Sequence, residues 1–277
     1  MSGFDADWLS LREPADHRAR DPGLLREVAG ALGQLDRPTV TDLACGTGST
    51  LRALAPHLPA RQLWRLVDHD PRLLDAAARG GGGRIEVVTL RADLSAELES
   101  VLALDADLVT LSAFLDLVSD AWLARLVAAA ARHGLPVYAA LSYDGRVGCE
   151  PDDPDDATVL AAFDRHQRRD KGLGGALGPT APSVAVRRFE DAGFEVTAVP
   201  SDWELGPAET ALQDRLVRGW RDAAAETGLV DAGVLDAWLA RRRAAIADGR
   251  SRLTVGHVDL WARPTAARPP APRRPRP

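Results

Sequence analysis

The sequence predicts an α/β fold: an open, mostly parallel sheet of seven strands with helices on both faces, plus a helical cap and helical insertions. Three observations predict it. Residues 38–70 run strand, glycine turn, helix, strand, acid, the order of a nucleotide-binding βαβ unit. Strand and helix signals then alternate to about residue 200, which calls for a parallel sheet covered on both sides. A β-rich segment from Leu253 to Trp261 supplies the seventh strand.

Taken in order, the predicted strands are 39–44, 62–68, 85–90, 107–112, 135–142 and 194–199, with helices near 49–58, 71–79, 120–132 and 183–192. Asp70 before Pro71 reads as a helix N-cap, and so does Asp120, with Leu123, Leu126, Val127 and Ala130 at helical spacing behind it. Gly134 closes that helix. In the last strand Gly256 marks a bulge.

Three segments stand outside this core. Residues 1–35 read as an N-terminal helical cap, with Leu24, Leu25, Val28 and Leu32 on one face. Residues 143–182 form a lid-like insertion that holds the acidic run 150–156, a short helix at Val159, Leu160 and Phe163, and a glycine-rich, hinge-like run 172–178. Residues 207–248 make a two-helix insertion through Leu212, Leu216 and Trp220, then Leu235, Trp238 and Leu239. Insertions of this length in a compact domain are usually functional. The main domain spans 36–262, and 263–277 is an Arg/Pro-rich tail that cannot bury apolar area and is expected to be disordered.

Composition narrows the classes of function. The 277 residues are 45% apolar, with no apolar stretch near the ~20 residues of a membrane span and no signal-peptide pattern at the start. A cytoplasmic protein without membrane attachment is expected. Cys45 and Cys149 are the only cysteines, with no metal-ligand spacing, so no metal is expected. The tail carries five arginines, and removing these from the net charge of −6 leaves −11 on the rest. A body this acidic argues against nucleic acid as a partner, which needs a basic face. Arginine supplies all basic residues but one, Lys171.

The glycine turn selects the ligand. Asp42-Leu43-Ala44-Cys45-Gly46-Thr47-Gly48 is followed at the third-glycine position by Leu51, so a dinucleotide fingerprint is absent, as is a phosphate-binding Gly-Lys-Ser/Thr. Asp68 lies 22 positions beyond Gly46, close to the roughly 20 expected of a ribose-binding acid. The segment resembles motif I of the class I S-adenosylmethionine (SAM) methyltransferases, a Rossmann-like family, with Ala44 in place of the first glycine. Arg91-Ala92-Asp93-Leu94 resembles motif III, and Asp107 to Asp116 resembles motif IV.

The resemblance implies SAM as cofactor. Asp68 would then take the ribose hydroxyls, Asp93 the adenine amino group, and Asp42 the glycine loop and the methionine ammonium. Ala44, Cys45, Gly46 and Gly48 form the loop, with His69 after Asp68, Leu94 after Asp93, and Ser112 with Ala113 at the end of strand four. Arg12 on the N-terminal helix would meet the methionine carboxylate, with Trp8 as a wall. Methyl transfer needs alignment first and a base only where the acceptor must lose a proton. Candidate bases are Asp116, Tyr143 and His17, with Asp144 and His166 behind them.

These expectations describe a SAM-dependent methyltransferase acting on an O or N atom of a small molecule. Rival readings are a SAM-binding protein of this fold without catalysis, an RNA or protein methyltransferase that docks through the tail, and a nicotinamide-dependent oxidoreductase. The missing third glycine counts against the oxidoreductase.

Overall fold

A computed structural model describes residues 5–265. Its centre is a sheet of eight strands: β1 Thr39–Leu43, β2 Gln62–Asp68, β3 Ile85–Arg91, β4 Leu108–Ser112, β5 Val137–Glu150, β6 Phe194–Pro200, β7 Trp203–Leu205 and β8 Arg252–Pro264. The order is β3-β2-β1-β4-β5-β8-β6, with β7 also paired to β8. The first five strands are parallel, and β8 runs antiparallel to β5, β6 and β7. The order reverses between β1 and β4, where open α/β sheets bind ligands outside the strands' carboxyl ends.

Helices cover both faces because the strands are apolar on both. On one face α5 Leu98–Leu102, α6 Asp120–His133 and α8 Ala181–Asp191 pack Leu98, Trp122, Leu126 and Phe189 against Val109, Leu111 and Val137. On the other face α2 Pro22–Leu32, α3 Ser49–Leu54 and α4 Pro71–Ala77 pack Leu24, Val28, Leu51 and Leu74 against Val40, Trp64, Leu66 and Leu108. A third core lies beyond the sheet ends. There α1 Ala6–Ala19, α7 Asp156–Gln167, α9 Thr210–Thr227 and α10 Ala232–Ala247 gather Val159, Leu212, Trp220 and Trp238 around Tyr143, Trp203 and Val255.

Several expectations change. The sheet has eight strands rather than seven, because the short β7 adds to the outer part of β8. β5 does not stop at 142 but continues to Glu150, so the insertion begins later. Asp144-Gly145 reads locally as a turn, yet it forms a bulge inside a continuing strand. Tyr143 pairs with His257 and Val147 with Val255, which leaves extra residues on β5. The bulge therefore lies on β5, opposite Gly256 rather than on it. A Cβ at Gly256 would stand 2.2 Å from Asp144 Oδ1 and 2.7 Å from Arg146 Cβ, so the glycine makes room for the bulge.

The α6 N-cap is Ser119, whose Oγ accepts the Trp122 N–H at 3.2 Å, and Asp120 begins the helix and pairs with Arg188. Asp70 and Gly134 cap as expected. β8 reaches Pro264, so the tail begins beyond 263, and its expected disorder concerns 266–277, outside the described residues.

The two insertions are tied down rather than loose. Arg241 of α10 pairs with Asp153 and Asp155, and the buried Arg242 pairs with Asp156 while donating to Pro151 O at 2.6 Å. Two arginines thus hold three of the run's five carboxylates within the fold. The glycine-rich run is docked too: Asp170 Oδ1 accepts the N–H groups of Gly172 and Gly174, Ser119 donates to Leu173 O, and Leu177 donates to Val118 O.

Gly256→Ala is expected to destabilise the protein by about 1–3 kcal/mol, the scale of forced overpacking, read as a lower denaturant midpoint at unchanged slope.

Candidate active site at the strand ends

Three residues other than glycine hold left-handed backbone: Ala44 (φ 50°), Ala113 (φ 49°) and Leu141 (φ 55°). They sit after β1, after β4 and within β5, three neighbouring strands of the sheet. Each such residue is strained by roughly 1–2 kcal/mol. Strain of this kind concentrates at functional sites when the surroundings enforce it. Here the enforcement is visible. Ala113 N–H donates to Ala140 O at 2.9 Å, and Leu141 N–H donates to Asp259 Oδ1 at 2.8 Å. Ala44 occupies the first-glycine position of motif I, so the departure in sequence is also a departure in comfort.

The loop that follows is fixed by Asp68. Gly46 N–H donates to Asp68 Oδ2 and Asp70 N–H to Asp68 Oδ1, both at 3.0 Å, and His69 Nδ1 lies 3.3 Å from Oδ1. One buried carboxylate thus joins the ends of β1 and β2. Cys45 N–H donates to Val67 O, and its thiol is pushed up by burial. Gly46 (φ 54°) and Gly48 (φ 83°) turn the chain into α3. A Cβ on Gly46 would meet Leu9 Cδ1 at 3.1 Å, so α1 roofs the loop.

Asp42 is fully buried behind the loop. Its Oδ1 accepts the Thr110 hydroxyl at 2.7 Å, whereas Oδ2 has no partner. Burial pushes its carboxyl up to about 7, helped by the Asp68 charge and opposed by the Thr110 and Thr50 hydroxyls and the Arg20 charge. Arg20, at the end of α1, is 3% exposed and donates from Nη2 to Ser112 Oγ at 3.0 Å, while its Nε has no partner. A carboxyl oxygen and a guanidinium N–H, both without hydrogen-bond partners among the described residues, thus lie buried within electrostatic reach of each other. Buried charges of this kind are costly unless something completes them.

The Arg12 expectation is corrected here. Arg12 donates from Nε and Nη2 to Asp16 at 2.9 and 3.0 Å and stacks 4.8 Å from the Trp203 ring, so its fork is already filled. Trp8 lies against Arg12, with 5.9 Å between the guanidinium carbon and the ring centre. His17 is corrected as well. Its Nε2 lies 3.2 Å from both Ser49 O and Ser49 Oγ, and Glu13 pairs with Arg52, so these residues pin α1 to α3.

Asp93 turns its Oδ1 to the Ser95 N–H at 2.9 Å and leaves the cap of α5 to Glu97, while the Leu94 carbonyl accepts Trp122 Nε1. The site's other side is formed by Asp116, Tyr143 and His257. Asp116 is 8% exposed, and its Oδ1 has no partner. Burial pushes it up to about 6, opposed by the Tyr143 backbone N–H and the charges of Arg12 and Lys171. Tyr143 donates its hydroxyl to Asp164 at 2.8 Å, and burial and that carboxylate raise the phenol. A phenol engaged in this way is not a base, which corrects that candidate. His166 lies 2.9 Å from Glu226, and Asp144 holds Arg146. His257 is buried with Nδ1 unpartnered, and burial lowers it to about 3, so the ring is neutral.

The sequence reading missed Arg20, His257 and Asp259. For the last two a signal existed. Positions 253, 255, 257, 259 and 261 alternate along β8 and all are buried, so two polar residues fall on an inward face. Arg20 carried no local signal, since its burial depends on α1 lying across the strand ends. Open cavities of about 290 and 440 Å³ lie elsewhere, beside Val184 of α8 and beside Arg243 of α10.

No protein-family model matches the chain, and no curated protein matches it. Solved structures do. A cyclopropane-fatty-acyl-phospholipid synthase-like protein of Lactobacillus casei is 16% identical, covering 94% of each chain at a TM-score of 0.55. A cyclopropane synthase of Mycobacterium tuberculosis is 12% identical, over 93% of this chain and 94% of that one, at 0.51. A Bacillus halodurans protein provisionally designated a methyltransferase is 14% identical, over 88% of this chain and 99% of that one, at 0.51. At these identities the likeness is one of fold: the chain has the Rossmann-like class I methyltransferase fold. Among the described residues no helix is long and apolar enough to cross a membrane, and no three His, Cys, Asp or Glu side chains are grouped to hold a metal.

Ala44→Gly is expected to stabilise the protein by about 1 kcal/mol through relief of the left-handed strain, read from the denaturant midpoint.

Proposed function

We propose that the chain is a SAM-dependent methyltransferase that transfers a methyl group to an O or N atom of a small molecule. The observation that carries this reading is the buried pair of incomplete charges, Asp42 Oδ2 and Arg20 Nε, beside a glycine loop at the switch point of the sheet. SAM ends in an α-ammonium and an α-carboxylate, and one such zwitterion completes both groups. Arg20 therefore replaces Arg12 as the residue for the methionine carboxylate. Ser112, which accepts from Arg20, keeps its place at the cofactor end.

The remaining cofactor contacts follow the motif positions. Asp68 accepts the ribose hydroxyls on lone pairs left by its two backbone donors, and Asp93 serves the adenine amino group. Ala44, Cys45, Gly46 and Gly48 line the loop. His69, Leu94 and Ala113 flank the adenosyl path, each one residue past an assigned contact. Bound SAM supplies a methyl group already activated by its sulfonium, so the protein's task is alignment. Asp116 is the base, because it is the buried carboxylate on the acceptor side with an oxygen left free. Leu51, at 1% exposure, fills the position where a nicotinamide fold needs its third glycine.

Asp42→Asn and Arg20→Met are each expected to weaken S-adenosylhomocysteine binding by about 1–3 kcal/mol, the scale of losing one partner of a charged hydrogen bond. Calorimetric titration checks this, and wild-type affinity in both variants would remove the assignment.

Asp116 is protonated below about 6 and a base above it. The groups that face it are Arg12 from α1, the Tyr143 backbone from β5 and Lys171 from the docked loop. Methyl transfer at saturating SAM is therefore expected to rise with pH through about 6, and Asp116→Asn should abolish that rise.

A further inference from the structure

Lys171 is the only lysine in the chain, and the fold carries it to the acceptor side of the site. The docked run 173–177 lies along residues 118 and 119, through Ser119 N–H to Leu173 O at 3.3 Å and Leu177 N–H to Val118 O at 2.8 Å. Those residues directly follow the short helix Leu115–Leu117 that contains Asp116. Tight packing keeps the loop there, since a Cβ on Gly174 would meet Ser119 at 3.0 Å. Among the described residues Lys171 Nζ has one hydrogen-bond partner, His166 Nδ1 at 3.5 Å, and no carboxylate within ion-pair reach. Glu226, the acid whose charge acts on it most strongly, is already engaged by His166 and Arg169, and the charge of Asp116 also reaches it.

The acceptor side therefore offers an incomplete carboxylate, Asp116, and an incomplete ammonium, Lys171, held together by one docked loop. Aromatic rings of the third core reach this side of the site, where the Tyr143 backbone bonds Asp116. Tyr143 packs edge-on against Phe163 at 5.8 Å and His257 at 6.3 Å, and Phe163 lies 6.2 Å from Trp220. A ligand that completes this half needs a nitrogen or oxygen donor, an anionic group, and an apolar side group.

We infer that the methyl acceptor is a hydrophobic amino acid or a close analogue, its amine held by Asp116 and its carboxylate by Lys171. This inference rests on the methyl-transfer reading above. In the reaction the bound ammonium first gives one proton to Asp116, which passes it to water. The neutral amine nitrogen then forms the new N–C bond as the methyl–sulfur bond breaks, with that bond's electron pair left on sulfur and N-methylammonium as the product. Lys171 holds the carboxylate throughout and takes no part in the proton transfer.

The test is calorimetric titration of the full chain saturated with S-adenosylhomocysteine. The probes are phenylalanine, tyrosine, tryptophan and leucine, each beside its decarboxylated amine and its deaminated acid. At least one amino acid is expected to bind, with both partial analogues weaker by roughly ten-fold or more, as for loss of a charge-assisted contact. Lys171→Met should erase the preference for amino acid over amine and leave S-adenosylhomocysteine affinity unchanged. Asp116→Asn should erase the preference for amino acid over deaminated acid. Equal binding of amine and amino acid to the wild type would overturn the inference, as would a preserved preference in Lys171→Met or binding of no probe to the loaded protein. Failure of S-adenosylhomocysteine itself to bind would instead overturn the reading beneath it.

Discussion

Asp259 is the residue on which the rest of the site depends. It is fully buried in β8, the antiparallel strand, yet it holds parts of three other elements. Its Oδ1 accepts Leu141 N–H, which keeps β5 in its left-handed step. Its Oδ2 accepts the Tyr138 hydroxyl at 3.0 Å and the N–H of Asp21, the N-cap of α2. The Tyr138 oxygen in turn lies 3.4 Å from Arg20 Nη1. A single carboxylate therefore sets the strain in β5, the start of α2 and the position of Arg20. A buried carboxylate is tolerated only when its lone pairs are filled, and here every donor that fills them belongs to the wall of the site.

A second constraint comes from the cover. Helices α7, α9 and α10 would be an appendage if they packed only on one another. The long β5, the outer part of β8 and the short β7 extend the sheet beneath them, so the cover and the core share strands. Arg242 is the counterpart of Asp259 on this side: a buried cation whose donors go to Asp156 and Pro151. Because Arg241 and Arg242 hold Asp153, Asp155 and Asp156, that part of the acidic run organises the cover. The docked glycine-rich run has the same character. Its glycines permit a close approach to Ser119, and that approach brings Lys171 within reach of the Asp116 charge.

The incomplete charges then divide the site in two. Asp42 and Arg20 lie behind the glycine loop, Asp116 and Lys171 lie on the acceptor side, and Ala113 and Ser112 stand between them at the end of β4. Each pair joins one residue from the sheet or its exit loops to one from a covering segment, α1 or the docked run. Neither half is complete until the covering segment is in place, which makes closure of α1 and the 170–178 loop part of building the site.

How far this could be read from sequence depends on the range of the forces involved. The five parallel strands, the Asp70 cap, the Gly134 stop and the turn 42–48 with Asp68 were legible because each rests on a local pattern: alternation, a capping side chain, or glycine where the backbone must turn sharply. The α6 cap was read one residue late, since Ser119 and Asp120 are both good caps and only geometry chooses. The fifth strand was read as ending at 142, because a bulge breaks the alternation there and only the pairing with β8 shows that the strand continues. The sequence by itself determined the fold class and the glycine turn with Asp68 beside it. Tertiary structure alone decided that Arg12 spends its charge on Asp16 while Arg20 is buried at the strand ends, and that Lys171 comes to the same side of the site as Asp116. Those outcomes depend on which charges the packing strips of water, and burial is a property of the whole fold rather than of any segment of it.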